Sequence, residues 1–346
     1  MATGLLRILR GKIAGNAGMV KICVMSDRRE SEDVVDAASF VVGLLAGGAV
    51  MLAAGGSLAD AAFAPAQEFS YWRYAIGGIC TGLGVALGNG CTSGHGLCGL
   101  SRYSIRSLVA TCTFMGMCVV TTLSFAKGLP REIVVFVFSP PEDVGLFIAI
   151  GVSALVLIGV IVLVIRYGMV SEIVAGGLCH GSTGLLFAIG LGIGSMTKQA
   201  IVMEAFGADG VWNPQLFILF GTALATTFLF YRVGDRIEAS HHCPLAVTPG
   251  KTHNFSGNNK GPDRRLVTGA ALFGVGWGMC GLCPGPFIVD LVTLSLRYCV
   301  FGLCMLVAMR VEGQFLQAVP ADSYNDISDN LVSHDGGGAD SSSTKD

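Results

Sequence analysis

Apolar residues in this chain fall in long, nearly unbroken runs separated by short polar stretches. A bilayer crossing needs about 20 mostly apolar residues. Eight windows meet that length, at roughly 34–54, 71–91, 104–124, 143–165, 171–196, 214–231, 265–282 and 287–309. Arg106 and Arg297 fall inside two of them. Residues 55–70 read as a small-residue loop, and 126–142, with Pro130, Pro140 and Pro141, as another. Residues 232–264 read as a long polar loop carrying Arg232, Arg236, Lys251, Lys260 and Arg264. From about Gln317 the chain is rich in Ser, Asp and Gly and reads as a disordered tail. The pattern predicts an all-α polytopic membrane protein of about 8–9 transmembrane helices.

Two of these windows repeat one arrangement. Arg73, Gly77, Gly82, Gly84 and Cys91 recur as Arg265, Gly269, Gly274, Gly276 and Cys283, all at an offset of 192 residues. Each unit is a glycine-rich apolar helix that ends in a cysteine inside a helix-breaking sequence. Duplicated, broken helices are how many transporters build a central site. Segment 34–54 pairs with 214–231 and 104–124 with 287–309, while the counterpart of 171–196 would be 1–20, which is short and charged. The expected division is a first repeat at 1–142 with its first helix shortened, a connector at 143–170, a second repeat at 171–316 and a tail at 317–346.

Charge supplies an orientation, because cytoplasmic loops collect Lys and Arg. With eight spans both termini share a side with the connections at 97–103, 166–170 and 232–264. That side holds Arg7, Arg10, Lys12, Lys21, Arg28, Arg29, Arg102, Arg166, Arg232, Arg236, Lys251, Lys260, Arg264 and Arg310. The other has little beyond Lys127, Arg131 and Lys198. Both termini, and the tail, are therefore expected in the cytoplasm. The helix ending at Cys91 then runs inward and the one ending at Cys283 outward, as an inverted repeat requires.

Composition agrees and narrows the classes. Only 13% of residues are charged and 52% are hydrophobic, with a mean hydropathy of +0.64; a soluble domain carries about 25% charged residues. A net charge of -2 speaks against a nucleic-acid partner. The 12 cysteines do not form a secreted disulfide pattern, since most lie in apolar segments. Cys80, Cys112, Cys118, Cys179, Cys299 and Cys304 read as packing residues. Cys280-x-x-Cys283 lacks a second such pair, so no metal or cofactor is expected. No signal peptide is evident, and no ATP-binding loop suggests a self-powered pump.

The chemistry concentrates at the two breaks. Gly90-Cys91-Thr92-Ser93-Gly94-His95-Gly96 is mostly small or helix-breaking, and Cys283-Pro284-Gly285-Pro286 has the same character. Irregular backbone within a membrane survives only where protein buries it or a cavity meets it. Its free N–H groups, with the start of any following helix, form an anion site. His95 reads as a ligand, a proton carrier or a loop-shaping hydrogen bonder, and His180 as a packed histidine. Arg102 and Arg106 either draw an anion inward or sit at headgroups. Arg73 and Arg265 read as interface anchors, and Asp290 and Glu172 as acids near helix ends.

The run from Gly90 through Cys91 and His95 to Arg102, Arg106 and Ser107 resembles the YeeE/YedE family of sulphur-transport membrane proteins. So do Gly274-Val275-Gly276-Trp277-Gly278, Gly281-Leu282-Cys283-Pro284-Gly285-Pro286 and, more loosely, Gly190 to Thr197. The resemblance covers most of residues 10–310. It implies thiosulfate uptake through an hourglass-shaped protein in the cell membrane, with central cysteines passing the ion along, and Cys91 and Cys283 are the matching positions. The implied substrate site comprises Cys91, Cys283, Gly90, Thr92, Ser93, Gly94, His95, Pro284 and Gly285. The implied partners are a small sulphur anion, the bilayer and a cytoplasmic sulphurtransferase, and no enzymatic activity is implied. A different sulphur species, such as sulfide or sulfite, and a persulfide-bearing carrier are the alternatives. Two departures stand out: the helix before Gly11-Lys12-Ile13-Ala14-Gly15-Asn16 is reduced to about ten residues, and Lys198-Gln199 replaces a proline often found after Met196-Thr197.

Overall fold

A computed structural model describes residues 2–10, 12–25, 31–125, 144–167, 169–207, 212–239 and 261–318. The regular elements among the described residues are all helices, without strands. The helices are α1 (Ala2–Arg10), α2 (Asn16–Val24), α3 (Ser31–Ala54), α4 (Gly56–Ala62), α5 (Tyr71–Gly88), α6 (Ile105–Phe125), α7 (Val144–Arg166), α8 (Glu172–Ile193), α9 (Gln199–Ala205), α10 (Gln215–Ala239), α11 (Arg264–Cys280), α12 (Pro284–Asp290) and α13 (Leu296–Ala318). Among the described residues, six segments are long and apolar enough to cross a membrane: Ser31–Ala54, Tyr71–Arg102, Ile105–Phe125, Glu172–Ile193, Gln215–Arg236 and Arg264–Thr293. The chain is an integral membrane protein.

Each of the eight expected windows overlaps a long helix, with three differences. The window at 287–309 straddles a break, because Leu294 takes a left-handed conformation (φ 54°) between α12 and α13. The stretch 55–70 contains α4, and Arg232 and Arg236 belong to α10 instead of a polar loop. The 126–142 loop, residues 240–260, the tail from 319, and Arg28, Arg29, Lys127, Arg131, Lys251 and Lys260 lie outside the described residues.

The duplicated unit reappears as a matched order of elements. Helix α5 stops at Asn89 in the left-handed region, and α11 stops at Gly281 in the same region, 192 residues later. Cys91 and Cys283 follow as extended residues, and each begins a short helix: a wide, π-type turn over Thr92–Gly99 and α12 over Pro284–Asp290. Pro284 suits that first position because its missing N–H would have no helical acceptor anyway. A single 3-10 turn follows each, at Leu100–Arg102 and Leu291–Thr293, then a left-handed residue, Tyr103 or Leu294, then a long helix, α6 or α13. Asp263 starts α11 by accepting the Leu266 N–H at 2.9 Å.

Glycines let the two units interlock. A Cβ on Gly84 would lie 2.6 Å from Phe273 Cα and 2.8 Å from Gly269 O, and one on Gly269 would lie 2.8 Å from Gly88 Cα. At the other end of the crossing, a Cβ on Gly276 would lie 2.6 Å from Gly77 O. So Gly84 faces Gly269 and Gly77 faces Gly276, and the helices run antiparallel. Since Gly77 corresponds to Gly269 and Gly84 to Gly276 by the 192-residue offset, the two contacts are one contact with the partners exchanged. The flanking helices follow the same exchange, α6 against α11 and α13 against α5. Likewise α3 packs on α8 through Gly43, Gly47 and Gly184, while α10 packs on α1 at Gly4. Helix α1 has 9 residues and α8 has 22.

Candidate functional site

Short helices supply the centre. The π-type turn and α12 start at the two cysteines, and α2 meets both of them. Thr92 Oγ1 lies 3.0 Å from Cys283 Sγ, so the first break touches the second cysteine directly. Cys91 Sγ lies 3.2 Å from Ser93 Oγ, which also accepts the Asn16 N–H at 3.0 Å. A Cβ on Gly285 would overlap the Asn16 side chain, and one on Gly15 would press on Gly94 Cα at 3.2 Å. Three chain segments therefore converge where Cys91, Cys283, Thr92, Ser93, Gly285 and Asn16 meet. Cys91 and Cys283 are buried and free, and the described cysteines as a whole are unpaired. Among the described residues, no cluster of three or more His, Cys, Asp or Glu side chains could hold a metal ion.

His95 belongs to the break itself. Its Nε2 donates to Gly88 O at 3.0 Å, and its Nδ1 lies 3.1 Å from Ser107 Oγ. With Nε2 carrying the proton, Nδ1 accepts from the serine hydroxyl. Both nitrogens are thus used to tie the turn back to α5 and forward to α6. Gly90 packs on the His95 ring, where a Cβ would approach within 2.6 Å. Pro284 lies buried at the start of α12.

A cavity of about 600 Å³ reaches this centre. Asn16, Thr92 and Ser93 form its polar end, and its walls are mostly apolar, including Phe114, Phe187 and Trp277. The cysteines sit behind that polar end and do not line the cavity. Trp277 stacks on Phe273 at 6.0 Å between centroids and meets Phe206 edge-on at 5.1 Å, which fixes the indole. Its Nε1–H is buried without a partner, as is Asn16 Oδ1.

Of the other residues singled out in the sequence, Arg73 departs from its reading, whereas His180 is packed and hydrogen-bonded as read. Arg73 is buried instead of anchored at an interface, and donates from Nε to Met279 O at 2.7 Å and from Nη1 to Phe125 O at 3.0 Å. Arg265 pairs with Glu312. Arg102 donates to Cys98 O at 3.1 Å, and Arg106 pairs with Asp263 at 3.2 Å, so neither points at the centre. Asp290 is buried with Oδ2 unpartnered, whereas Glu172 is exposed on the first turn of α8. His180 is buried, bonded to Gly176 O at 2.9 Å, and lies 3.3 Å from Asp36, whose other oxygen takes Lys12 Nζ at 2.7 Å.

Sequence reading missed Asn16 and Gln199, each the first residue of a short helix. Gln199 Nε2 donates to Cys280 O at 2.6 Å, and its Oε1 accepts from Gln67 N, Tyr74 OH and Tyr298 OH. It holds the second break as His95 holds the first. The available signal was the departure at Lys198-Gln199.

Residues 11–120 match the family described as sulphur transport, and residues 178–322 match a family of unknown function (DUF6691). A protein of Xylella fastidiosa (strain Temecula1) named "Probable transporter" is 38% identical over 136 residues, which are 39% of this chain and 86% of that protein. A second "Probable transporter", from strain 9a5c, is 38% identical over 113 residues, 32% of this chain and 72% of its own length. No solved structure matches the chain significantly.

Proposed function

Because this chain belongs to the sulphur-transport family of membrane proteins, the YeeE/YedE group, we propose that it takes up thiosulfate through the convergence of its two cysteine-bearing breaks. A transporter role follows from the family and needs no enzymatic step. The single observation that carries the finer reading is the Thr92 Oγ1 to Cys283 Sγ contact of 3.0 Å, which joins the break at one cysteine to the other cysteine.

Thiosulfate is a small dianion, and stripping its water without replacement donors costs many kcal/mol, on the order of tens for an unpaired charge. Thr92 is a donor at the polar end of the cavity, and the cysteine thiols behind it are the next donors the ion would meet. A thiol is a weak donor, and weak sites suit conduction because an ion must also leave. The thiols act in their neutral form, since a thiolate would repel the ion. Gly90, Gly94 and Gly285 let backbone approach at the breaks, and His95 and Pro284 hold their shape.

The antiparallel exchange of Gly77–Gly276 and Gly84–Gly269 supports an inverted repeat in the bilayer, with halves at 1–142 and 171–316 joined by 143–170. In this reading both termini face the cytoplasm, where a sulphurtransferase would receive the product. Thiosulfate flux into proteoliposomes tests it, with and without a proton gradient. Cys91→Ala and Cys283→Ala each abolish flux while leaving expression intact. Wild-type flux in both variants, or a labile extra sulphur trapped on either cysteine in place of flux, overturns the channel reading.

A further inference from the structure

Two short helices, α2 and α9, each open on a buried carboxamide, and the two carboxamides are used differently. Gln199 is committed to structure. Its Nε2 donates to Cys280 O at 2.6 Å, and its Oε1 accepts from Gln67 N at 2.9 Å and from Tyr74 OH at 3.1 Å. Asn16 is 3% exposed and borders the cavity. Its backbone N–H donates to Ser93 Oγ at 3.0 Å, but among the described residues its side-chain Oδ1 has no hydrogen-bond partner. Its Nδ2 fills the space where a Cβ on Gly285 would lie. A buried carboxamide with an unsatisfied oxygen lowers stability. Packing therefore does not explain an asparagine here, since leucine fills a similar volume without that cost.

The place of Asn16 is informative. Helix α2 meets both the π-type turn and α12, and Asn16 touches the residue two beyond each cysteine: Ser93 after Cys91 and Gly285 after Cys283. Because Ser93 Oγ accepts the Asn16 N–H, the serine hydroxyl still has its own hydrogen to give. Asn16, Thr92 and Ser93, at the polar end of the cavity, thus present an amide NH2 group and two hydroxyls. The thiols lie behind them, Cys91 Sγ at 3.2 Å from Ser93 Oγ and Cys283 Sγ at 3.0 Å from Thr92 Oγ1. Strong donors stand in front of weak ones. Thiosulfate is divided in the same way, with oxygens that accept strongly and a terminal sulphur that accepts weakly.

We propose that Asn16 is a substrate-contact residue: with Thr92 and Ser93 it holds the oxygen end of the ion while the two thiols face its sulphur end. This division favours thiosulfate over anions that offer only one kind of end. The inference rests on thiosulfate transport through this centre.

Asn16→Leu removes both amide groups at nearly constant volume. Thiosulfate flux is measured in proteoliposomes of wild type and variant, with sulfite as an oxygen-only competitor and hydrosulfide as a sulphur-only one. Losing one hydrogen bond to a charged group raises the thiosulfate KM about tenfold. The inhibition constant for sulfite rises with it, and that for hydrosulfide stays at the wild-type value. The melting temperature in detergent stays at or above wild type, because an unsatisfied buried group has gone. Asn16→Asp, closest in size, puts a carboxylate against the dianion and blocks flux, which keeps the test open if Asn16→Leu fails to accumulate. An unchanged KM in Asn16→Leu, or wild-type flux in Asn16→Asp, overturns the proposal. A lower melting temperature with both competitors weakened alike also overturns it, since that is the result of a merely structural asparagine. Failure of sulfite or hydrosulfide to compete in wild type overturns the two-ended assignment. A wild-type protein without saturable thiosulfate flux instead overturns the substrate reading beneath it.

Discussion

Gly84→Ala isolates the crossing that brings the two breaks together. The added methyl would lie 2.6 Å from Phe273 Cα and 2.8 Å from Gly269 O. Carbon atoms pack best at about 3.5–4.0 Å, so α5 and α11 must part by about 1 Å. Both obstacles are backbone, which cannot rotate aside. Overpacking of this kind costs about 1–3 kcal/mol, and the rigid neighbours put it near the top of that range. Alanine's better helix propensity returns about 1 kcal/mol. The net expectation is a loss of about 2 kcal/mol. Gly116→Ala on α6 is the control, because nothing lies within 4 Å of its Cβ and only the propensity gain remains. Thermal denaturation of purified protein in detergent reads the difference: Gly84→Ala melts several degrees below wild type and Gly116→Ala at or above it. Gly269→Ala behaves like Gly84→Ala, and the double variant is not additive because both methyls enter one contact. A Gly84→Ala protein as stable as Gly116→Ala would refute the close-crossing argument.

Other outcomes follow from single side chains. Ser93→Ala removes the acceptor of the Asn16 N–H and the neighbour of Cys91; uptake falls about tenfold, roughly 1.4 kcal/mol, at normal expression. Gln199→Leu strands the Cys280 carbonyl and three donors; at about 1–3 kcal/mol for each buried orphan, the protein fails to accumulate. Asp263→Ala deletes the N-cap of α11 and costs about 1 kcal/mol, read as a lower melting temperature at pH 7. Partial burial alone would raise the Asp263 pKa, but the Leu266 amide and then Arg106 outweigh it and hold the carboxyl below its usual value. Its stabilisation is therefore present above the unfolded pKa of about 3.9 and is lost as pH falls through the lower folded value. The melting gap between Asp263→Ala and wild type closes under acid conditions.

What could be read before folding was whatever is written in spacing. The 192-residue offset located both helices, both breaks and both cysteines, and the later left-handed residues Tyr103 and Leu294 lie one residue off that register. The charge pattern could not show that Arg73 is buried, because an arginine at the start of an apolar run looks the same whether it faces headgroups or carbonyls. The break inside 287–309 was hidden for a related reason: Leu294 is apolar, and hydropathy does not register a left-handed backbone. Asn16 and Gln199 matter through partners far along the chain, such as Ser93 and Cys280, and neither has a repeating motif to advertise it. The pairing of Asp36 with Lys12 and His180 likewise joins three segments that share no local pattern.

The exchanged packing also sets an order of events during synthesis. Helix α5 buries its glycine face on α11, and α3 buries its own on α8, so the main partners of the first half are made last. A chain whose contacts are this distant in sequence closes slowly. Until α11 emerges, α5 stands in the bilayer with a groove of bare backbone and Cys91 with no Cys283 to face. Assembly of the site is thus a single late event, triggered when the second cysteine-bearing helix slides against the first.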